Sequence, residues 1–320
     1  MTKQWLAGID VGGTTMKMAF FTEKGECVDK WEVPTNTEDE GIHIIDDIVD
    51  AIDEKLTKNN ATRHDLIGVG LGAPGFIEVE TGRIIEAVNV GWKDFPLTER
   101  LEAALEVPVA VDNDANIAAL GERWLGAGDG AENVLFVTLG TGVGGGLISD
   151  RRIIHGESGF GGEIGHITAV TEGGAPCNCG KTGCLETISS ATGIRRLGLE
   201  AVESGKTGML SSTYEKEGDL TAKDVLDAAK AGDEAADEIV EYAMYHLGFA
   251  LANLANAMNP NTIVIGGGVS KAGEFIIDRI RTHFQAYAIP KVGEDTNIRI
   301  ATLGNDAGIV GGAWLASQRV

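Results

Sequence analysis

Three thiols and one imidazole lie close together in this chain: Cys177, Cys179 and Cys184, with His166 eleven residues before the first. Three cysteines and a histidine form the closed tetrahedral donor set of a structural zinc site. Asn178, Gly180, Lys181 and Gly183 supply the turns such a loop needs. With no open coordination position, a zinc ion there would order a loop and carry out no hydrolysis. A group of reduced thiols is the other reading of the same residues. Glu163 stands three residues before His166 and Glu186 two after Cys184. A metal loop would fix both, whereas a lone glutamate is ordinarily a solvated surface charge.

Three glycine loops form a second group. In Asp10-Val11-Gly12-Gly13-Thr14-Thr15, the glycines let backbone N–H groups approach a phosphate. Thr14 and Thr15 add donors, and Asp10 could hold Mg2+ through water. A plain glycine hairpin with a solvated aspartate fits the same residues. In Thr138–Gly146, Gly140, Gly142 and Gly145 have G-x-G-x-x-G spacing. That spacing marks a dinucleotide fold only when a helix follows. Here a strand follows, so a β-hairpin phosphate loop with Thr141 as an extra donor fits better. In Ile263–Ser270 a strand enters Gly266-Gly267-Gly268 and a helix follows. That arrangement suits a nucleoside ring or an α-phosphate, or is a tight strand-to-helix turn. Finally, Asp112-Asn113-Asp114-Ala115-Asn116 lies where a strand becomes a helix, at the rim of an α/β crevice. Either Asp112 or Asn113 caps the helix, which leaves Asp114 free to act as a base.

These residues need strands and helices to hold them. Strands are expected at Trp5–Val11, Thr15–Phe21 and Cys27–Val33, with Glu23-Lys24-Gly25 as a turn. Ile42, Ile45, Ile48, Val49, Ile52 and Leu56 have helical spacing. Strands at Ile67–Leu71 and Val107–Val111 flank a short helix, Leu97–Leu105. A helix from Asn113 to about Leu125 precedes strands at Val134–Leu139 and Gly142–Ile148. Residues 154–185 show little periodicity. Helices follow at about 186–204, 221–231, 234–258, 270–287 and 306–318, with strands at 263–265 and 298–303. Two glycine loops each join a short apolar strand to another strand, which suggests a loosely duplicated α/β plan with a cleft between halves.

Composition narrows the function classes. The chain has 320 residues, 26 Lys or Arg, 48 Asp or Glu and a net charge of -22. That is no electrostatic footprint for nucleic acid or an anionic membrane surface. No apolar run approaches a membrane span, and the first residues are too short for a signal-peptide core, so cytosol is the expected compartment. Cys27 stands apart and reads as a partly buried small residue. Glycine, 45 residues, is concentrated in the loops just described.

Taken together these motifs resemble the ROK family of sugar kinases and regulators. The matching runs are DVGGTT at 10–15, GLGAPG at 70–75, VDNDAN at 111–116, TLGTGVGGG at 138–146, EIGH at 163–166, CNCGKTGCLE at 177–186 and VIGGGV at 264–269. Within the family, CLETISSATGI from Cys184 looks most like the bacterial ATP-dependent glucokinases. The resemblance implies an actin-like, hexokinase-type pair of α/β domains with an interdomain cleft and a zinc loop. The small domain would take 1–112 plus the returning segment 306–320, and the large domain 113–305. Asp114 matches the family's catalytic base. Asn113, Glu163, His166 and Glu186 match its sugar ligands, Gly75 its backbone contacts, and Asn89 lies in the same region. Gly12, Gly13, Thr14, Thr141 and Gly142 match the ATP phosphate loops, and Gly267 and Gly268 the nucleoside side. Several relatives have lysine directly after the first threonine, where this chain has Thr15; Lys17 is one strand period further on.

The activity so implied is ATP- and Mg2+-dependent phosphorylation of glucose at O6, in a homodimer or higher homo-oligomer. A kinase for fructose, mannose or N-acetylmannosamine is the nearest alternative. A sugar-sensing regulator would need a DNA-binding segment before the first phosphate loop, and the sheet begins by residue 5. A nicotinamide-dependent oxidoreductase is disfavoured by the strand after Gly146.

Overall fold

The structure is a computed structural model that describes residues 3–206 and 208–319; the outermost residues of the expected domains, 1, 2 and 320, lie outside it. The chain forms two compact units. One holds residues up to Gly130, Ile153–Gly161 and Leu303 onward; the other holds Ala131–Arg152 and Gly162–Thr302.

In the first unit, strands β1 (Trp5–Val11) and β2 (Thr15–Thr22) form a hairpin whose turn is Gly12-Gly13-Thr14. β3 (Cys27–Pro34) adds antiparallel to β2 at the edge. Helix α1 (Ile44–Lys58) buries Ile44, Ile45, Ile48, Ile52 and Leu56 along one stripe. Burial of that kind contributes about 1.5–3 kcal/mol per side chain. β4 (Leu66–Ala73) then runs parallel to β1. Next come three short strands, β5 (Phe76–Glu78), β6 (Arg83–Ala87) and β7 (Trp92–Phe95), forming a separate antiparallel sheet. Helix α2 (Leu97–Leu105), β8 (Val109–Asn113) and helix α3 (Asp114–Leu125) follow. The main sheet has the order β3-β2-β1-β4-β8. The C-terminal helix, Ala307–Ser317, returns onto this sheet and onto α3. Its backbone comes so close that a Cβ on Gly8 or Gly70 would overlap the carbonyl of Ile309 or Gly312. The glycine excess therefore serves helix-on-sheet packing as well as loops, which differs from its expected concentration in loops alone.

In the second unit, β9 (Val134–Leu139) and β10 (Val143–Ser149) form another glycine hairpin. β11 (Arg152–Ile153) lies at the sheet edge. After the irregular stretch come α4 (Glu186–Ser189), α5 (Ala191–Glu203), α6 (Met209–Glu217), α7 (Ala222–Lys230) and α8 (Glu234–Met258). β12 (Thr262–Gly266), α9 (Glu274–Tyr287), α10 (Pro290–Asp295) and β13 (Asn297–Ile300) complete it. Its sheet order is β11-β10-β9-β12-β13, with β12 parallel to both neighbours. Both sheets thus start from an antiparallel glycine hairpin and continue with two parallel strands on the side of its first strand.

Several local expectations change. The sheet β5-β6-β7 and helices α6 and α10 are absent from the expected elements. The helix expected at 186–204 is two, because Ser190 is extended (ψ 168°) and caps α5 by accepting from the Gly193 N–H at 3.0 Å. The helix expected from 270 opens at Glu274, after Gly273 at φ +73°. Cys27 is exposed, not partly buried, because it begins the edge strand β3. Helix α3 packs mainly on the C-terminal helix, so it groups with the first unit, whereas the expected boundary fell after residue 112.

Candidate functional site

The residues singled out in the sequence fall into two sets, one in each unit. In the first unit the parallel register of β1, β4 and β8 aligns Asp10, Gly72 and Asp112 at the carboxyl ends of the strands. The next residues on β8 and α3 are Asn113 and Asp114. Asn113 is the helix cap, its Oδ1 accepting from the Ala115 N–H at 2.9 Å. Its Nδ2 donates to the Gly75 carbonyl at 3.3 Å. Gly75 sits at φ +93°, where a Cβ would overlap the Glu86 carbonyl, so the close turn there requires glycine.

Asp114 is not fully released by that cap. Its Oδ1 also accepts from the Ala115 N–H at 2.8 Å. The carboxyl reaches solvent, yet the surrounding protein is dense enough that desolvation raises its pKa above the usual 3.8. The Ala115 and Asn113 hydrogen bonds oppose that rise. Asp10 is pushed further, to about 6, by desolvation and then by the Asp114 charge, against the attraction of Lys17. The two carboxyls are therefore electrostatic neighbours with Lys17 beside them. The Lys17 ammonium donates to the Asn305 carbonyl at 3.3 Å. In the hairpin turn the Gly12 N–H donates to the Thr15 carbonyl at 3.1 Å. Gly13 lies against the backbone of exposed Asn89, which the unforeseen β6–β7 region carries. Gly12, Gly13, Thr14 and Thr15 thus form one turn at the end of the strand that bears Asp10.

In the second unit Gly140, Thr141 and Gly142 make the β9–β10 turn, closed by the Gly140 N–H donating to the Gly142 carbonyl at 3.0 Å. The strand after this turn confirms a hairpin where a dinucleotide fold would have a helix. A Cβ on Gly142 would come 2.6 Å from the Glu186 carboxylate, so that side chain lies over the turn. Gly267 (φ +84°) lets its loop pass directly over the Leu139 backbone, and Gly268 beside it is exposed. Next to Gly268 is a cavity of about 350 Å3 floored by Ala222, Leu226, Val269 and Ala272 and rimmed by Lys223, Lys230 and Lys271. The lysine rim went unforeseen; its only sequence signal is Lys223 and Lys230 seven apart on one face of α7.

The ring of His166 faces two ways. Nδ1 lies 3.5 Å from the Cys177 sulfur and 3.8 Å from Glu186 Oε1, while Nε2 lies 3.8 Å from Glu163 Oε2. The Cys177 thiol donates to Glu186 Oε1 at 3.0 Å. The sulfurs of Cys179 and Cys184 are 3.6 Å apart. One donor atom from each of His166, Cys177, Cys179 and Cys184 lies within 4.8 Å of the other three. A zinc tetrahedron with bonds of about 2.0–2.3 Å has edges of roughly 3.3–3.8 Å; the donors fit that ion in type, and the His166–Cys177 and Cys179–Cys184 pairs, at 3.5 and 3.6 Å, match such edges. The loop is held by the Cys177 N–H to the Lys181 carbonyl at 2.8 Å and by a bridge from Thr168 to Cys184.

The chain matches the ROK family over residues 6–319. It belongs to the ROK family. It is 60% identical over 319 residues to a glucokinase of Halalkalibacterium halodurans, covering 100% of this chain and 97% of that one. Among solved structures it resembles a ROK hexokinase from Thermus thermophilus, at 32% identity and TM-score 0.83, covering 99% of each chain. It also resembles a ROK family glucokinase from Streptomyces griseus in complex with glucose and AMPPNP, at 32% identity and TM-score 0.74, covering 98% of this chain and 99% of that one. The mixed α/β fold is therefore that of the ROK sugar kinases, and the His166–Cys184 cluster is consistent with a structural zinc loop. Among the described residues no helix is long and apolar enough to cross a membrane.

Proposed function

We propose that this protein is a cytoplasmic glucokinase, transferring the γ-phosphoryl group of ATP to the 6-hydroxyl of glucose. The observation that carries the reading is Asp114 at the opening of α3, fixed by the Asn113 cap and with its pKa raised by its surroundings. The 60% identical glucokinase supports the sugar, and the ROK glucokinase solved with glucose and AMPPNP supports an ATP-type donor.

In this reading Asp114 takes the O6 proton as that oxygen bonds to the γ-phosphorus. The bond from phosphorus to the β,γ-bridging oxygen breaks and ADP leaves. A positioned base contributes about 10²–10⁴-fold. Asn113, Glu163, Glu186 and His166 Nε2 bind the sugar hydroxyls, with Asn89 and the Gly75 backbone beside them. The turns at Gly12–Thr15 and Thr141–Gly142 receive the phosphates through backbone N–H groups and hydroxyls, which stabilise charge on the transferred group. The cavity beside Gly267 and Gly268 takes the nucleoside, its apolar floor under the base. Mg2+ supplies charge neutralisation on the phosphates, and Asp10 is the carboxyl placed to hold its water shell. His166 Nδ1 with Cys177, Cys179 and Cys184 would hold zinc, fixing the ring so that Nε2 faces the sugar. The protein would work as a homodimer or higher oligomer.

A coupled assay with ATP and Mg2+ across glucose, fructose, mannose and N-acetylmannosamine tests the substrate, and polyphosphate in place of ATP tests the donor. Glucose with ATP is expected to give the highest kcat/KM. Preference for another hexose would overturn the substrate assignment, and near-normal turnover by folded Asp114→Asn would overturn the base.

A further inference from the structure

The buried carboxyl of Asp112 has no part in the proton transfer above, yet each of its oxygens is engaged. It is 1% exposed. Oδ1 accepts from the Asn113 backbone N–H at 2.7 Å and from Asn116 Nδ2 at 2.8 Å. Oδ2 lies 2.7 Å from His155 Nε2. Since an ionised carboxylate only accepts, the imidazole donates through Nε2–H. The residues tied to Oδ1 bracket Asp114: Asn113 precedes it and Asn116 lies two beyond. His155 belongs to Ile153–Gly161, the stretch in which the chain rejoins the first unit. That stretch is also pinned by Phe160, whose ring centroid lies 5.0 Å from that of Phe76, the residue after Gly75.

We infer that His155 is a positioning residue for the phosphoryl transfer: by holding Asp112 Oδ2 it fixes the Asp112–Asn116 turn and so the direction of the Asp114 carboxyl. The inference rests on Asp114 being the base. Asp112 is too enclosed to meet a substrate, so His155 acts through it and not on the reacting atoms. Removing the imidazole takes the donor from a buried oxygen. The carboxyl then rotates to recover hydrogen bonds, and the Asn113 and Asn116 contacts on its other oxygen move with it. A shift of about 1 Å in a reacting group costs on the order of 10²-fold in rate.

The test compares His155→Ala and His155→Gln for kcat, for KM of glucose and ATP, and for Tm, with Asp114→Asn alongside. His155→Ala is expected to lower kcat roughly 10–100-fold, with KM for ATP within about twofold. His155→Gln keeps an N–H donor near the same oxygen and is expected to recover most of the turnover at a similar Tm. Full kcat in His155→Ala overturns the inference, as does a loss in both variants that simply follows Tm. If His155→Ala does not fold, Asp112→Asn carries the test, with the same selective loss of kcat expected and an unchanged kcat overturning it. Near-normal Asp114→Asn marks failure of the base itself; inactive Asp114→Asn with fully active His155→Ala marks failure of this inference alone.

Discussion

The two glycine hairpins share one plan and differ in chemistry. Each joins antiparallel strands, and the first strand of each is followed across the sheet by parallel strands. In the first unit that row of strand ends reads Asp10, Gly72 and Asp112; in the second, Thr138 stands opposite Gly266. The first unit thus gathers carboxyls at its strand ends and at the start of α3, where desolvation raises the pKa values of Asp10 and Asp114 and the Asp114 charge adds to the rise of Asp10. The second has a hydroxyl and glycine there and carries its acids, Glu163 and Glu186, around the His166–Cys184 loop. In the proposed reading both hairpin turns offer neutral donors to phosphate, and only the first unit sets carboxyls, Asp10 and Asp114, beside its turn. That division also resolves the charge of -22, because backbone N–H groups bind anions without adding positive side chains.

The sharpest way to break the comparison is to remove one feature from each unit. Asp114→Asn is expected to cut kcat about 10²–10⁴-fold with little change in KM for ATP. Thr141→Ala in the second hairpin removes one hydroxyl donor and is expected to raise KM for ATP roughly tenfold or less. Steady-state kinetics on both variants checks this; equal effects on kcat would abolish the distinction between the units. Next in size is removal of metal. Chelation, or Cys177→Ser, is expected to weaken glucose binding about 10–100-fold by freeing His166 and Glu186. Calorimetry with glucose and zinc analysis of the purified protein measure it, and a zinc-free protein that binds glucose fully would remove the metal from the site.

Legibility in the sequence followed the range of the interactions. The hairpins at Gly12 and Thr141 were legible because apolar strands bounded by glycine are a local signal. Helix α8 was equally plain, with Asp233 capping it and Asn259 at φ +48° ending it. Sheet β5-β6-β7 was not legible, because strands of three to five residues that are half exposed carry no clear alternation. The break at Ser190 was hidden because apolar periodicity continues across a capping serine. In the site, the four candidate metal donors lie within nineteen positions and could be read directly. The Asp112–His155 pair spans 43 positions, and nothing in either neighbourhood announces the other. Motif resemblance likewise ranked Asp114 above its neighbours, but the crowding that raises its pKa exists only in the folded chain.

The smallest effect expected concerns stability and probes what the first unit gives up to hold carboxyls together. Asp10 has a folded pKa of about 6 against 3.8 as an unperturbed group. Below about pH 4 it is protonated in both states and costs nothing. As pH rises from about 4 to 6 the unfolded chain ionises first, so folding loses stability, and above 6 the full penalty remains. At roughly 1.4 kcal/mol per unit the ceiling is about 3 kcal/mol, and because the carboxyl is only partly buried about 1 kcal/mol is expected. Asp10→Asn should therefore match the parent protein in Tm near pH 4 and exceed it by about 1–2 degrees at pH 7.5. The converse change in the second hairpin, Thr138→Asp, should lower Tm most at the higher pH. If Asp10→Asn gains nothing above pH 6, the carboxyl row is not electrostatically strained, and the contrast between the hairpins reduces to one of side-chain shape.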